Sequence, residues 1–228
     1  SAFYNCTNLQ SVIFADESQL ISIGNDAFFG CEKLEGIEIV DGVTTIGNGA
    51  FNSCTSLTTI TIPQSVITMG TDVFMGCTGL LTVNFDDNSQ LTSFAEDLFK
   101  GCVSLTTITI PSDVEIVDSD AFNGCSALDS VTIPESVLTI ESGAFCDCIN
   151  LVKVIFVGNS PMTAIANDVF YNCESLVAIT LPSGINTIGN NAFRGCKSLV
   201  KITIPSGVYS IEINGFREIA IFKDGVTL

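Results

Sequence analysis

Along the chain, short stretches alternate apolar residues with Thr or Ser, and a turn signal closes each one. Leu57-Thr58-Thr59-Ile60-Thr61-Ile62-Pro63 shows the pattern. Ile60 and Ile62 alternate with β-branched Thr59 and Thr61, which predicts a half-buried strand. Pro63 ends it, because proline donates nothing to a ladder. Val66 to Gly70 reads as a second, shorter extended piece. Thr71-Asp72-Val73-Phe74-Met75-Gly76 reads as a single helical turn with a start and a stop. The residue three before each such phenylalanine is often Asn, Ser or Thr (Asn25, Asn48, Thr71, Ser119, Ser142, Asn167, Asn190), which suits an N-cap. The residue two before it is often Asp (Asp26, Asp72, Asp97, Asp120, Asp168), which suits the positive end of a helix dipole. That aspartate column can also be read as a metal-binding row, but capping explains its neighbours too.

The same pattern recurs on a fixed ruler. The ten cysteines fall at 6, 31, 54, 77, 102, 125, 146, 148, 173 and 196. With Cys146 set aside, the spacings are 25, 23, 23, 25, 23, 23, 25 and 23. A period of this size marks a solenoid, and overrides a domain count taken from length. A leucine follows each ruler cysteine by three (Leu9, Leu34, Leu57, Leu80, Leu105, Leu128, Leu151, Leu176, Leu199). A phenylalanine precedes each by three (Phe3, Phe28, Phe51, Phe74, Phe99, Phe122, Phe145, Phe170, Phe193), and Phe216 continues that column without a cysteine. The residue just before each ruler cysteine is Gly, Asn, Ser or Asp, consistent with a turn or a left-handed cap. No coil can bury its apolar residues alone, so stacked Leu, Ile, Phe and Cys columns make one continuous core. At a strand spacing of about 4.8 Å, nine coils give a body roughly 43 Å long. The predicted fold is mainly β with short helical turns, its strands parallel and in register as one long sheet.

A longer period encloses the shorter one. The 25-23-23 spacing repeats every 71 residues, giving units 6–76, 77–147 and 148–218 within a single solenoid over 1–216. The first coil of each unit carries Phe at the third inward strand position (Phe14, Phe85, Phe156). A longer turn follows: Asp16 to Leu20, Asp87 to Leu91, Gly158 to Met162. Duplication of a three-coil block explains this, as does a periodic binding ridge, since insertions in repeats map to one face.

Alternation also lists the outward side of the sheet. The candidate binding residues on it are Glu38, Thr59, Thr61, Asn84, Thr107, Thr109, Thr132, Lys153, Thr180, Lys201 and Thr203, accompanied by Ser11, Ile13, Gly36, Thr82, Ser130, Ile155 and Ala178. The face is small, Thr-rich and nearly uncharged. Ordinary strand propensity accounts for the threonines, and a broad protein-binding surface is the functional reading. A regular threonine array for ice also fits a flat face, but Glu38, Lys153, Ile155 and Lys201 interrupt it.

Composition then narrows the chemistry. The chain of 228 residues is 46% hydrophobic and 14% charged, so it is not disordered. No apolar run approaches the ~20 residues of a membrane-spanning helix. There is no His and no Trp, which removes imidazole as base, shuttle or ligand. Eight basic against 25 acidic residues give a net charge of -17, which excludes a generic nucleic-acid or anionic-membrane surface. The charge is uneven: residues 1–193 hold 22 acids and 3 bases (net -19), residues 194–228 hold 3 acids and 5 bases (net +2). That basic end could meet an acidic partner or another copy. No base, nucleophile or carboxylate pair is singled out by spacing, so no catalytic residue is assigned.

A buried cysteine column favours free thiols as small apolar core residues. Neighbouring coils do bring the Cα atoms within reach of a bridge, but an in-register ladder need not meet the torsion. Cys146 sits two before Cys148 and points off the column. A Cys-x-Cys pair could hold a metal or a strained bridge, but with no His and no second such pair a lone exposed thiol is the expectation, and neither metal nor cofactor is assigned.

Stretches such as Ser56-Leu57-Thr58-Thr59-Ile60-Thr61-Ile62-Pro63 and Ile188-Gly189-Asn190-Asn191-Ala192-Phe193-Arg194-Gly195-Cys196-Lys197-Ser198-Leu199 closely resemble the BspA-like leucine-rich repeats. The resemblance covers Ala2 to about Phe216. It implies a right-handed solenoid with a parallel sheet on the concave side. It further implies a cell-surface, extracellular setting and a non-catalytic role in adhesion to a host, matrix or partner-cell protein. The alternative is a structural spacer holding other domains away from a surface. The chain begins in mid-coil with neither signal peptide nor anchor, so a portion of a larger protein is expected. Residues 217–228 are expected to cap the last coil or start another. The N-terminal coil should leave Leu9, Val12 and Phe14 incompletely covered, open to another copy.

Overall fold

Two residues in each coil carry positive φ, and they decide the local structure. Around Phe74 they are Asp72 (φ 59°) and Gly76 (φ 70°), and the same two places recur from Asn5 to Asn214. Asp, Asn, Ser and Gly fill them because these residues tolerate the left-handed region best. The computed structural model describes residues 1–15 and 17–217. In place of the expected helical turns it has runs of tight turns, such as Met75 N–H to Asp72 O (3.2 Å) and Cys77 N–H to Phe74 O (3.0 Å). No helix forms among the described residues. The alternating handedness turns amide groups toward the next coil: Phe28 N–H donates to Ala50 O and Gly30 N–H to Asn52 O, both 2.8 Å.

The aspartate column therefore reflects left-handed backbone, not a helix dipole. The asparagines do not cap their own coil either. Asn25 Oδ1 accepts from Asn48 N–H (3.0 Å), Asn48 Oδ1 from Thr71 N–H (3.2 Å) and Asn167 Oδ1 from Asn190 N–H (2.8 Å), all one coil on. Where the carboxylates stack, Lys100 Nζ sits 2.9 Å from Asp97 Oδ1 and 3.0 Å from Asp120 Oδ2. Its hydrogen bond to Asp97, then that to Asp120, raises its pKa above the ordinary lysine range.

Each coil adds two strands, numbered β1 to β18 in chain order. The first strand of each coil is β1 (Ser11–Val12), β3 (Gly36–Ile37), β5 (Thr59–Ile62), β7 (Thr82–Phe85), β9 (Thr107–Thr109), β11 (Ser130–Ile133), β13 (Lys153–Phe156), β15 (Ala178–Thr180) and β17 (Lys201–Thr203), with two residues in β1 and β3 and three or four in the rest. The second strand of each coil is a two-residue piece, such as β2 (Ser22–Ile23), β8 (Ser93–Phe94) and β14 (Ala164–Ile165). All pairing is parallel and in register, for example Thr59↔Thr82 and Thr132↔Ile155.

The ladders are not one unbroken sheet. On the long-strand face they run β1-β3, then β5-β7, then β9-β11-β13-β15-β17. The β7–β9 gap follows the long coil carrying Phe85, and after the long coil carrying Phe156, β13 and β15 pair at a single position, Lys153↔Ala178. The β3–β5 gap coincides with Gly36, which offers no side chain to pack. The short strands form three separate three-stranded sheets, whose first strands begin at Ser22, Ser93 and Ala164, each 71 residues after the last (93 − 22 = 164 − 93).

Two columns hold the stack together. Neighbouring phenylalanine rings from Phe3 to Phe216 lie face to face with centroids 5.1–5.8 Å apart. Aromatic pairs of this kind add about 0.5–1.5 kcal/mol beyond area burial. Behind the rings, each ruler thiol from Cys31 on donates to the phenylalanine carbonyl of the preceding coil at 3.0–3.2 Å, as Cys77 Sγ does to Phe51 O. All ten cysteines are free. Burial pushes the Cys54, Cys102 and Cys196 thiols up to about 12. Cys146 is half-buried rather than exposed, its Sγ 3.6 Å from Asp147 Oδ2. Burial first, then the Asp147 charge, pushes it up to about 12 as well. The exposed thiol is Cys6.

At the N-terminal coil Leu9, Val12 and Phe14 are half-buried, and Phe3 is 40% exposed. The expected cap at 217–228 lies, apart from Arg217, outside the described residues.

Phe122→Ala should cost about 3–5 kcal/mol in denaturant unfolding, whereas Phe3→Ala costs far less, because its ring has a neighbour on one side only. A thiol reagent on the native chain should label Cys6 first and leave the fully buried column untouched. All ten thiols should react after denaturation without reductant. A markedly lower denatured count would mean that bridges had formed.

Candidate functional site

Strand alternation sends one set of side chains into the core and the other out. Along β5 the pattern is exposed, buried, exposed, buried for Thr59, Ile60, Thr61 and Ile62. Every candidate face residue is exposed: Glu38, Thr59, Thr61, Asn84, Thr107, Thr109, Thr132, Lys153, Thr180, Lys201 and Thr203. Their register brings them into rows across the coils. One row runs Thr107, Ser130, Lys153, Ala178, Lys201, and another runs Thr109, Thr132, Ile155. On the N-terminal half, Thr59 lies beside Thr82 and Thr61 beside Asn84. Glu38 stands across the break between β3 and β5, outside these rows.

Two interruptions of the ladder carry clefts in the face. Between β13 and β15 a cavity of about 720 Å³ opens, lined by Val152 to Phe156, Gly158 to Ser160 and Val177 to Ser183. Between β3 and β5 a cavity of about 450 Å³ is lined by Glu38, Asp41 and Asp86 among others. Alternation alone does not reveal either cleft. It marks Ile155 only as an interruption in the threonine rows, and it passes over Val152, Phe156, Val177 and Gly158. A signal was available: the residue four after the ruler cysteine is polar in five of the nine coils, is Leu81 in one, and is Val152, Val177 and Val200 in the last three, the apolar ones all at least 43% exposed.

Among the described residues no group of three or more His, Cys, Asp or Glu side chains is placed to hold a metal ion. The second cation of the C-terminal coils, Lys197, is held by Glu174 at 2.6 Å on the turn side. Arg194 lies over the Tyr171 ring, 5.6 Å from its centroid. Lys153 and Lys201 form no ion pair among the described residues, and so are the cations that the sheet face itself presents. No helix among the described residues is long and apolar enough to cross a membrane.

Solved structures resemble the chain along most of its length. A leucine-rich cell surface protein from Faecalibacterium prausnitzii is 31% identical over 95% of this chain and 72% of its own, with a TM-score of 0.49. The T. pallidum leucine-rich repeat protein is 28% identical over 85% of this chain and 74% of its own, with a TM-score of 0.56. The pneumococcal vaccine antigen PcpA shares the fold at 24% identity, over 91% of this chain and 61% of its own, with a TM-score of 0.55. Among curated proteins nothing matches. The model of the BspA-type leucine-rich repeat region matches in six copies over residues 1–128 and 92–223. A repeat of this type, with its phenylalanine and cysteine columns stacked coil on coil, places the chain in the BspA-type leucine-rich repeat family.

Proposed function

We propose that the chain is a non-catalytic protein-binding module that holds its ligand on the exposed face of the long strands, in a protein displayed outside the cell. Leucine-rich repeat proteins are typically protein-interaction modules, and the fold is normally non-catalytic. The observation that carries the reading is the in-register row across β9 to β17 beside a shorter one across β9 to β13. They set uncharged hydroxyls, methyls and two lysines on a rigid grid within a strongly acidic chain. A surface that avoids charge where the rest of the molecule carries it is cheap to desolvate on contact. The extracellular setting is supported by the F. prausnitzii relative, which is described as a cell surface protein. Adhesion to a host, matrix or partner-cell protein is the form of binding that such a setting favours.

A spacer would use the same stack without using its face. The two readings part in a capture assay of immobilised host and matrix proteins with wild type and a Thr107→Arg/Thr109→Arg variant. Both positions are exposed on β9, so the variant should fold. Capture by wild type that the variant loses by about tenfold or more supports a ligand on the face. Equal capture by both moves the site elsewhere, and no capture by either favours the spacer.

A further inference from the structure

We propose that the cleft between β13 and β15 receives a large apolar side chain from an acidic segment of a protein partner, with Lys153 and Lys201 meeting the carboxylates that flank it. The inference rests on the protein-binding reading of the sheet face and deepens it.

The cleft exists because one ladder is nearly unzipped. β11 and β13 pair at four positions, and β15 and β17 at three, but β13 and β15 pair only at Lys153↔Ala178. Beyond that pair the two strands bound the cavity of about 720 Å³. Its floor is apolar: Val154 and Ile179 are buried, and Phe156 is half-buried. Its rim carries exposed apolar side chains among polar ones, with Val152 47%, Ile155 38% and Val177 43% exposed. Exposed apolar surface around an apolar cavity costs free energy in water, which burial of a partner's side chain would recover.

Charge then selects the partner. Lys153 stands at the closed end of the seam, and Lys201 follows it in the same row with Ala178 between them. Two strand spacings separate them, roughly 10 Å, which spans a short peptide segment. The outward positions of β13, β15 and β17 carry no carboxylate: they are Lys153, Ile155, Ala178, Thr180, Lys201 and Thr203. The carboxylate of Glu135 lies at the opposite, loop end of the cleft, where a Cβ on residue 158 would collide with it. An acidic segment is therefore drawn to the lysine end and kept from the loop end. The other cavity on this face, lined by Glu38, Asp41 and Asp86, repels the same segment. On a chain of net charge -17, this cleft is where the sheet face offers apolar surface together with positive charge.

The test uses three fluorescein-labelled peptides and the full chain: Asp-Glu-Phe-Glu-Asp, the same with Ser in place of Phe, and Lys-Arg-Phe-Arg-Lys. The acidic Phe peptide should bind with saturable anisotropy. A Lys153→Glu/Lys201→Glu variant should weaken that binding by about tenfold or more, and added salt should weaken it too. Ala178→Tyr, which fills the cleft mouth without changing charge, should also abolish it. Thr78→Ala, exposed in a turn outside the sheet face, should leave it intact. The Ser peptide should bind far more weakly, and the basic peptide no better at this site. No binding of the acidic Phe peptide up to about 1 mM, binding indifferent to Ala178→Tyr, or equal binding of the Ser peptide overturns the proposal. If it falls while face-directed capture of a protein is still lost in Thr107→Arg/Thr109→Arg, the protein-binding reading survives without the cleft. If both fail, that reading falls with it.

Discussion

Coil-to-coil stacking of the phenylalanine and cysteine columns is the constraint on which the rest of the molecule depends. A ring sandwiched between two others at 5.1–5.8 Å leaves no freedom in the rise between coils. The thiol behind it has to reach a carbonyl one coil back, at 3.0–3.2 Å. Cysteine suits that place because it is small enough for the core and still carries a weak donor. Serine would give the donor with a heavier desolvation cost, and alanine would leave that contact unmade. Once the columns fix the rise, every difference in coil length must appear elsewhere. The chain places each two-residue excess in the turn after Phe14, Phe85 or Phe156. Those turns bury Leu91 and Met162 where shorter coils bury valines such as Val66 and Val137.

That solution has a consequence for the sheet. Ladder pairing wants each strand to follow its neighbour without a shift; β3 complies after the turn at Phe14, but the coils after the turns at Phe85 and Phe156 do not. Hence β7 and β9 fail to pair, and β13 and β15 hold at one position only. The short-strand sheets part between the third coil of one unit and the first of the next, so each begins 71 residues after the last. Irregularities on the face thus follow from regularity in the core. A change that shortened the turn after Phe156 would be felt first in the seam beside it, and only later in the ring stack.

How much of this could be read from the sequence depends on which interaction writes the signal. The columns of Leu, Phe and Cys are side-chain requirements repeated at a fixed spacing, so coil number, strand positions and the inward and outward faces were all legible. The left-handed residue before each ruler cysteine was legible too, because Gly, Asn, Ser and Asp share one backbone tolerance. The turn around each phenylalanine was misread as helical for a related reason. Asn25 and Asp26 look like an N-cap and a first-turn acid, and the same residues suit a left-handed turn whose partner lies a coil away. Local propensity cannot tell an acceptor for its own turn from an acceptor for the next coil. The clefts were not legible for a different reason. They arise from backbone registers between coils, and alternation within a strand carries no information about whether its neighbour pairs with it.

A stack this tightly specified also bears on how a ligand can be recognised. Two hydrogen-bonded ladders and a continuous row of rings leave the threonine grid little freedom to reshape around a partner. A rigid face saves the ordering entropy that a loop-built site would lose, but it offers nearly the same contacts at every coil. Discrimination then has to come from the places where the repeat is broken. Those are few on this face, and they differ in sign: carboxylates at the β3–β5 gap, lysines and exposed valines at the β13–β15 seam. In the proposed binding mode, the uniform rows supply contact area and the seams supply identity. The β13–β15 seam follows the long turn after Phe156, whereas the β3–β5 gap coincides with Gly36, so the two differ in origin as well as in charge.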